Sequence, residues 1–508
     1  MPSNSLALDG VNTPPNHIGG LENLDQEYDY FIDDIEGEVP EDLRGTFFRN
    51  GPGSQRIGKT AYGHWFDGDG MLCAFTFRDG KVHFKNAYVR TPKYVKETEQ
   101  QQILYRGFGT KIPGGIRANF LKAPANPANT STMYHGGKLL ALNEGGRPWQ
   151  LEPGDLRTIG EFNYDGGLSR GNVFSAHGKV HSQTGDYINF GAGISKVKWS
   201  GVQACLNVYR INKAGKLIKK GAVPLDSFPF CHDFALTENY AVFFIGSIIF
   251  KNMLKVLSGW KSISDQVTYD PKIPMKVVCV RLEDLSIAKE IQLDHGAIIH
   301  FGNAFEENGD IIVDAMFQDD FSANATLVDV FNPEGRFGGG TYKRYTIPLS
   351  TGSVREDVVN DRESEFPTFN NEFTGIRQDH TYTACSIDNG ANGFFNAFQK
   401  VNFDGNSELI TLPQGFYGSE PLFAKKVNAK KEDDGYLLNV VYDAFKHLSE
   451  LQIYRAEEPT ELACKLKLKH HLPHQFHGHF TDQVFCKIKI RGFASQKFPT
   501  EVNHLALL

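Results

Sequence analysis

The chain has 508 residues, 40% apolar and 12% aromatic, and carries a formal net charge of −7 at pH 7. A chain of this size can bury a large core, and its acidic balance argues against a nucleic-acid footprint, which needs a basic face. No run of 18 apolar residues occurs in it, so no helix is expected to span a bilayer.

The N-terminal stretch MPSNSLALDGVNTPPNHIGG has neither a charged leader nor an apolar centre and does not read as a signal peptide. Residues 1–25 are expected to form an extended or flexible arm, and 26–508 a single body. From Phe31 onward the pattern is strand, turn, strand. The run at 72–89 is interrupted by an Arg-Asp-Gly turn, and similar runs follow at 138–146, 187–193, 310–317, 435–444 and 485–493. They are rich in β-branched and aromatic residues and bounded by Gly, Asn and Asp. Many short strands at regular spacing suggest a sandwich, a barrel or a propeller. The length favours seven four-stranded blades, so the expectation is an all-β propeller.

One segment departs from this pattern. Residues 246–260 line up Ile248, Phe250, Leu254, Leu257 and Trp260 with Lys251 and Lys255. Taken alone, the segment reads as a helix packed on the β body; the competing reading is an element lying in a membrane interface. Phenylalanine is abundant, with 39 residues. Either a well-filled β core or a long apolar ligand channel would use them. The seven cysteines are scattered, without a CxxC pair, which points to a reducing cytoplasm rather than to a disulfide framework.

Among 17 histidines, four sit at the ends of strand-like runs: His177, His232, His300 and His477. Glu144, Glu365 and Glu420 share that kind of context. Six of these residues, 177, 232, 300, 365, 420 and 477, follow one another at gaps of 55, 68, 65, 55 and 57 residues. That is one polar residue per blade, and the inner strands of a propeller converge on its axis. Neutral imidazoles suit divalent iron, zinc, copper or nickel, and ligating histidines are usually held by carboxylates or carbonyls. The HHLPHQFHGH tract at 470–479 could instead be a surface metal-binding run, but its apolar neighbours require only His477 to point inward. The sequence contains no HExxH motif of a zinc hydrolase.

The stretches GEVPEDLRGTFFRNGPG, HWFDGDGML, NPANT, LLALNEGG, AHGKVHSQTGD, HDFALTENY, IHFGNAFEE, EFPTFN, GSEPLF, EDDGYLLNVVYDA and FHGHF occur in that order from about residue 38 to the C-terminus. In this the chain resembles the carotenoid cleavage oxygenase family. The resemblance implies a seven-bladed propeller capped by a dome of loops and short helices. It also implies one ferrous ion held by His177, His232, His300 and His477, and cleavage by O2 of a conjugated double bond in a carotenoid or apocarotenoid. Glu144, Glu365 and Glu420 are then partners of His232, His300 and His477. Thr130 is the threonine whose methyl crowds an open position at the metal. An insoluble polyene substrate turns 246–260 into a membrane-docking element on an otherwise cytoplasmic protein.

Three positions depart from the family pattern. Gly178 replaces a proline, GKVHS stands for PKVDP, and Gln475 replaces a glycine. The runner-up is a stilbene dioxygenase. Its relatives look to hold a phenol with a tyrosine, here Tyr88, and with a lysine just before the first glutamate. That lysine place holds Asn143, which favours a carotenoid substrate. A retinoid isomerohydrolase and a non-catalytic propeller that keeps a structural metal are the remoter readings.

Overall fold

The computed structural model describes residues 15–486 apart from 199–200, 226–227, 229, 322–326, 328–329, 333–338 and 389–393. The expected strand at 485–493 lies mostly outside the described residues. The architecture is a seven-bladed β-propeller. Three four-stranded sheets make the second, third and fourth blades, beginning with strands Ser131–His135, Lys179–Val180 and Ala235–Leu236. A seven-stranded sheet from Ala297 to Thr411 supplies the fifth and sixth. Its long strand Arg355–Thr368 serves both, pairing with Gly340–Pro348 at one end and with His380–Cys385 at the other.

Local sequence accounts for the blades. Strand Lys81–Tyr88 alternates buried and exposed residues, as one sheet face against a neighbouring blade requires. It is joined to Gly70–Arg78 by Asp79 and Gly80, at φ +51° and +66°. A two-residue hairpin loop needs positive φ at both central positions, which Asp-Gly supplies. Between blades, Phe47, Phe75 and Phe84 pack with Leu438, Ile453 and Leu466 in one core cluster. The ring closes at that join twice over. The last described strand, Gly478–Thr481, pairs with Gly45–Pro52 in the first blade, and the early strand Ile35–Gly37 pairs with Leu462–Lys467 in the last.

The arm expected at 1–25 is not loose over its described part. His17, Leu21 and Leu24 are buried, and Leu21 packs with Trp65 and Phe476. The ring of His474 bonds the carbonyl of His17, and its backbone N–H donates to that of Gly20. These partners are more than 450 residues away in sequence, so no local pattern announces them.

Loops and three short helices rise over one face of the ring: α1 (Pro92–Gln100), α2 (Gly115–Asn119) and α3 (Met253–Leu257). Segment 246–260 is thus a strand, Ile248–Phe250, followed by a single helical turn and a half. No helix among the described residues is long and apolar enough to cross a membrane.

Candidate metal centre

Each blade delivers one residue to the axis at its innermost strand. His477 precedes Gly478–Thr481, Thr130 precedes Ser131–His135, His177 precedes Lys179–Val180, and His232 precedes Ala235–Leu236. His300 lies within Ala297–Glu307, Glu365 within Arg355–Thr368, and Glu420 just ahead of Leu422–Lys425. The six-membered series seen in the sequence therefore has a seventh member, Thr130, one blade before His177.

The four histidines meet. One ring nitrogen from each lies within 4.8 Å of those of the other three. Three rings are aimed from behind by carboxylates: His232 Nδ1 by Glu144, His300 Nδ1 by Glu365 at 2.5 Å, and His477 Nδ1 by Glu420 at 2.8 Å. These are the pairings implied by the family resemblance. The carboxylates are themselves held. Glu365 Oε2 accepts the N–H of Phe366 at 2.9 Å, and Glu420 Oε2 accepts that of Gly478 at 2.8 Å. Burial works against their ionisation, but the facing imidazoles and these N–H groups prevail and hold both carboxyls below their ordinary range.

His177 has no carboxylate behind it, and its Nε2 is a buried atom without a hydrogen-bond partner. Burial, with three imidazoles close by, keeps its pKa well below that of free histidine. Burial also lowers His477, where Glu420 offsets only part of the effect. In His300 burial opposes protonation too, but the Glu365 carboxylate outweighs it and the pKa is raised.

The donor set fits a divalent transition-metal ion. With Nδ1–H given to Glu144 and Glu365, the Nε2 atoms of His232 and His300 carry lone pairs, and they face each other at 3.2 Å. Facing lone pairs repel, and a cation among the four nitrogens removes that repulsion. The charge agrees. Three carboxylates stand against one fully buried guanidinium, Arg49, whose Nη1 lies 3.6 Å from Glu420 Oε2. The nearby Asp233 is matched by Lys179 at 3.0 Å. A divalent ion cancels the two remaining negative charges; Glu365 and Glu420 are buried, where an uncancelled charge is costly.

Three contributors take roles at the centre that no local pattern announces. Arg49 is one. Phe366 is another: it sits at φ +52°, unusual for a bulky side chain. That bend occurs where the pairing with His380–Cys385 slips between Glu365 and Thr368. It lets Glu365 face His300 while the Phe366 ring covers His300 and His477 at centroid distances of 5.4 and 5.1 Å. The third is an amide pair. Asn143 donates to Asn129 Oδ1 and Thr130 Oγ1, each at 3.1 Å, and the Thr130 hydroxyl donates to Asn129 Oδ1. With its hydroxyl taken up by two amides, Thr130 offers the cavity its carbon.

His232, His300 and His477 stand at the wall of a cavity of about 470 Å³, whose lining includes the aromatic side chains of Phe66, Phe108, Phe230, Phe395 and Phe476. Both uses of phenylalanine foreseen from composition thus hold: Phe47, Phe48, Phe75, Phe77 and Phe84 fill the core, and another set lines the cavity. Tyr88 is not part of the wall. It is buried elsewhere, its hydroxyl bonded to the Leu24 carbonyl and its ring stacked on Tyr94. The family departures are accommodated locally. A Cβ at Gly51 would strike Gln475, so the larger residue at 475 lies against a glycine, and Gln475 Nε2 donates to the Met71 carbonyl at 3.0 Å. The Tyr187 ring occupies the space beside Gly178.

Comparison with known proteins gives the same picture. The sequence model of the retinal pigment epithelial membrane protein family matches residues 21–482. The chain is 36% identical over 485 residues to apocarotenoid-15,15'-oxygenase of Synechocystis, covering 92% of this chain and 96% of that protein. It is 27% identical to carotenoid 9,10(9',10')-cleavage dioxygenase of Crocus sativus, over 88% of this chain and 85% of that one. The crystal structure of the cobalt-substituted Synechocystis oxygenase superposes with a TM-score of 0.84 at 34% identity, covering 91% of this chain and 98% of that one.

Proposed function

Because the chain belongs to the retinal pigment epithelial membrane protein family, the carotenoid cleavage oxygenases, we propose that it cleaves one conjugated C=C bond of an apocarotenoid or carotenoid with O2, giving two carbonyl products, at a ferrous ion held by His177, His232, His300 and His477. The observation that carries this reading is the convergence of four imidazole nitrogens within 4.8 Å at the wall of an aromatic cavity. Bound there, iron supplies the dioxygen chemistry that no side chain provides.

The protein's own part is position, orientation and exclusion of water. Glu144, Glu365 and Glu420 fix the tautomer and aim of three imidazoles. Phe366 covers two of the rings, and Thr130 presents a carbon surface with no free hydroxyl toward the reacting region. A polyene offers many similar double bonds, so the bond cut is set by how far the substrate slides along the aromatic wall. Among substrate classes a polyene is favoured over a stilbene, because Tyr88 is out of reach of the cavity and Asn143 spends both amide hydrogens on Asn129 and Thr130.

The same reading includes docking at a membrane surface, where such substrates dissolve. Leu254, Leu257 and Trp260 are exposed by 75%, 48% and 58%, and Met253 of the same helix reaches the cavity wall. Helix α2 and the residues after it extend the patch, with Ile116, Phe120 and Leu121 also exposed. The two parts are joined by a hydrogen bond from Leu121 N–H to the Leu257 carbonyl at 2.9 Å. Lys111, Lys122, Lys255 and Lys261 are placed along these segments, the pattern of an interfacial element.

Incubating iron-loaded protein with a panel of apocarotenals, carotenoids and resveratrol, followed by chromatography, tests the reaction. The expected result is a pair of shorter carbonyl compounds from a polyene and none from resveratrol. Cleavage of the stilbene alone would overturn the substrate class.

A further inference from the structure

We propose that Gln318 is a specificity-determining residue that anchors a hydroxyl group of the substrate, away from the bond being cut. The inference rests on the cleavage reading above and names a chemical feature of its substrate.

Gln318 ends the strand Asp310–Gln318 and pairs with Ala297 on the neighbouring strand, which also carries His300. Side chains alternate along a strand. Phe317 turns toward the core between the fourth and fifth blades, where it packs in a cluster with Val277 and Ile291. Its neighbour Gln318 therefore turns the opposite way, and it forms part of the cavity wall. There it is 7% exposed, and its Oε1 is a buried atom with no hydrogen-bond partner.

The surroundings make this group conspicuous. Close by, Phe321 packs on Phe230 at 5.4 Å, and Phe230 on Phe250 at 6.2 Å, so the local wall is aromatic. A carboxamide placed among such rings without a partner costs a few kcal/mol of desolvation. Among the neutral hydroxyl and carboxamide groups of the wall, Ser175 Oγ donates to the His232 carbonyl, and Asn143 and Thr130 bond each other and Asn129. Gln318 remains as a carboxamide acceptor directed at whatever fills the cavity. A neutral hydroxyl is the matching group, since it donates to Oε1 and accepts from Nε2.

The register gives a distance. Gln318 lies opposite Ala297, three residues along the strand from His300, or about 10 Å at strand rise. The hydroxyl belongs on a part of the substrate that far from the metal centre, as on the terminal ring of an apocarotenal. Ring-bearing substrates with and without a hydroxyl would then be distinguished by this one contact.

The test compares full-length native protein with Gln318→Met, which keeps size but removes the acceptor, and Gln318→Glu, which keeps an acceptor in either protonation state. Two apocarotenals are used, identical except for a hydroxyl on the terminal ring. Binding is read without O2, by quenching of tryptophan fluorescence, and turnover is read separately. Gln318→Met should weaken binding of the hydroxylated compound by roughly tenfold or more and raise its KM with little change in kcat. The unsubstituted compound should bind the Met form at least as tightly as the native one, and Gln318→Glu should recover most of the loss. Equal effects on both compounds, or none on either, would overturn the proposal. Discrimination in binding without cleavage of either compound would sustain the anchor and overturn the cleavage reading instead.

Discussion

At the centre, single residues decide charge and geometry. Arg49 shows this most clearly. It is fully buried, donates to the carbonyls of Glu420 and Phe476, and faces the Glu420 carboxylate that aims His477. Removing one partner of a buried pair leaves the other uncompensated, at a cost of about 3–5 kcal/mol. Arg49→Met should lower unfolding stability in urea by that order and weaken metal retention together with it; a loss near zero would mean that Glu420 does not depend on Arg49. Histidines away from the centre set the acid limit. Burial holds the pKa of His64 and His474 down to about 3 and that of His471 to about 4. Unfolded, these groups take up protons near pH 6.5 while the folded protein does not. Their contribution is thus complete above about pH 6.5 and is lost progressively as the pH falls toward 4, by at most about 3 kcal/mol for His471. Urea midpoints measured from pH 7.5 down to 4.5 should fall across that window, and His471→Gln should flatten the slope; a pH-independent midpoint would contradict it. The ring atoms that make contacts are hard to see in a sequence. The Arg49–Glu420 contact joins residues 371 apart, and Phe366 matters through a backbone bend that Phe-Pro does not advertise.

At the level of elements, the strands were legible because their chemistry is local. Alternation along Lys81–Tyr88, the Asp79-Gly80 turn and the 55–68-residue recurrence of His and Glu all follow from blade geometry. Segment 246–260 stood out for the same reason, as an apolar run with flanking lysines. What the sequence hid is its partnership with α2, more than 130 residues earlier. The buried guanidinium of Arg106 joins the two. Its Nη1 donates to the carbonyls of Lys122 and Val256 at 3.0 and 2.9 Å, and its Nη2 to Lys261 at 2.9 Å. These carbonyls sit at or just beyond the helix ends, where backbone acceptors lack internal partners and a cation is favourable. Replacing Arg106 by Met should release both segments. Binding to anionic liposomes should then drop several-fold, as it should for Leu254→Ser with Trp260→Ser, while folding of the ring measured by far-ultraviolet circular dichroism stays intact. Undiminished liposome binding in both variants would remove the patch from the account. The described part of the N-terminal arm likewise meets partners far along the chain, in His474 and in Trp65 and Phe476.

Across the whole molecule, the ring converts distance in sequence into nearness in space. Seven inner strands each bring one residue to the axis, and double closure through Gly478–Thr481 and Ile35–Gly37 joins early and late strands at one seam. His477 lies at that seam, so closing the ring and completing the histidine set are one event. Every functional feature then depends on whether the four imidazoles hold iron together. The direct measurement is metal analysis of full-length protein purified without O2, alongside His177→Ala, His232→Ala, His300→Ala and His477→Ala. The account predicts about one iron per chain in the native protein, an X-ray absorption spectrum with imidazole nitrogens around it, and loss of the iron in each variant. Iron that persists after these replacements, or full turnover with zinc as the sole metal, would contradict it.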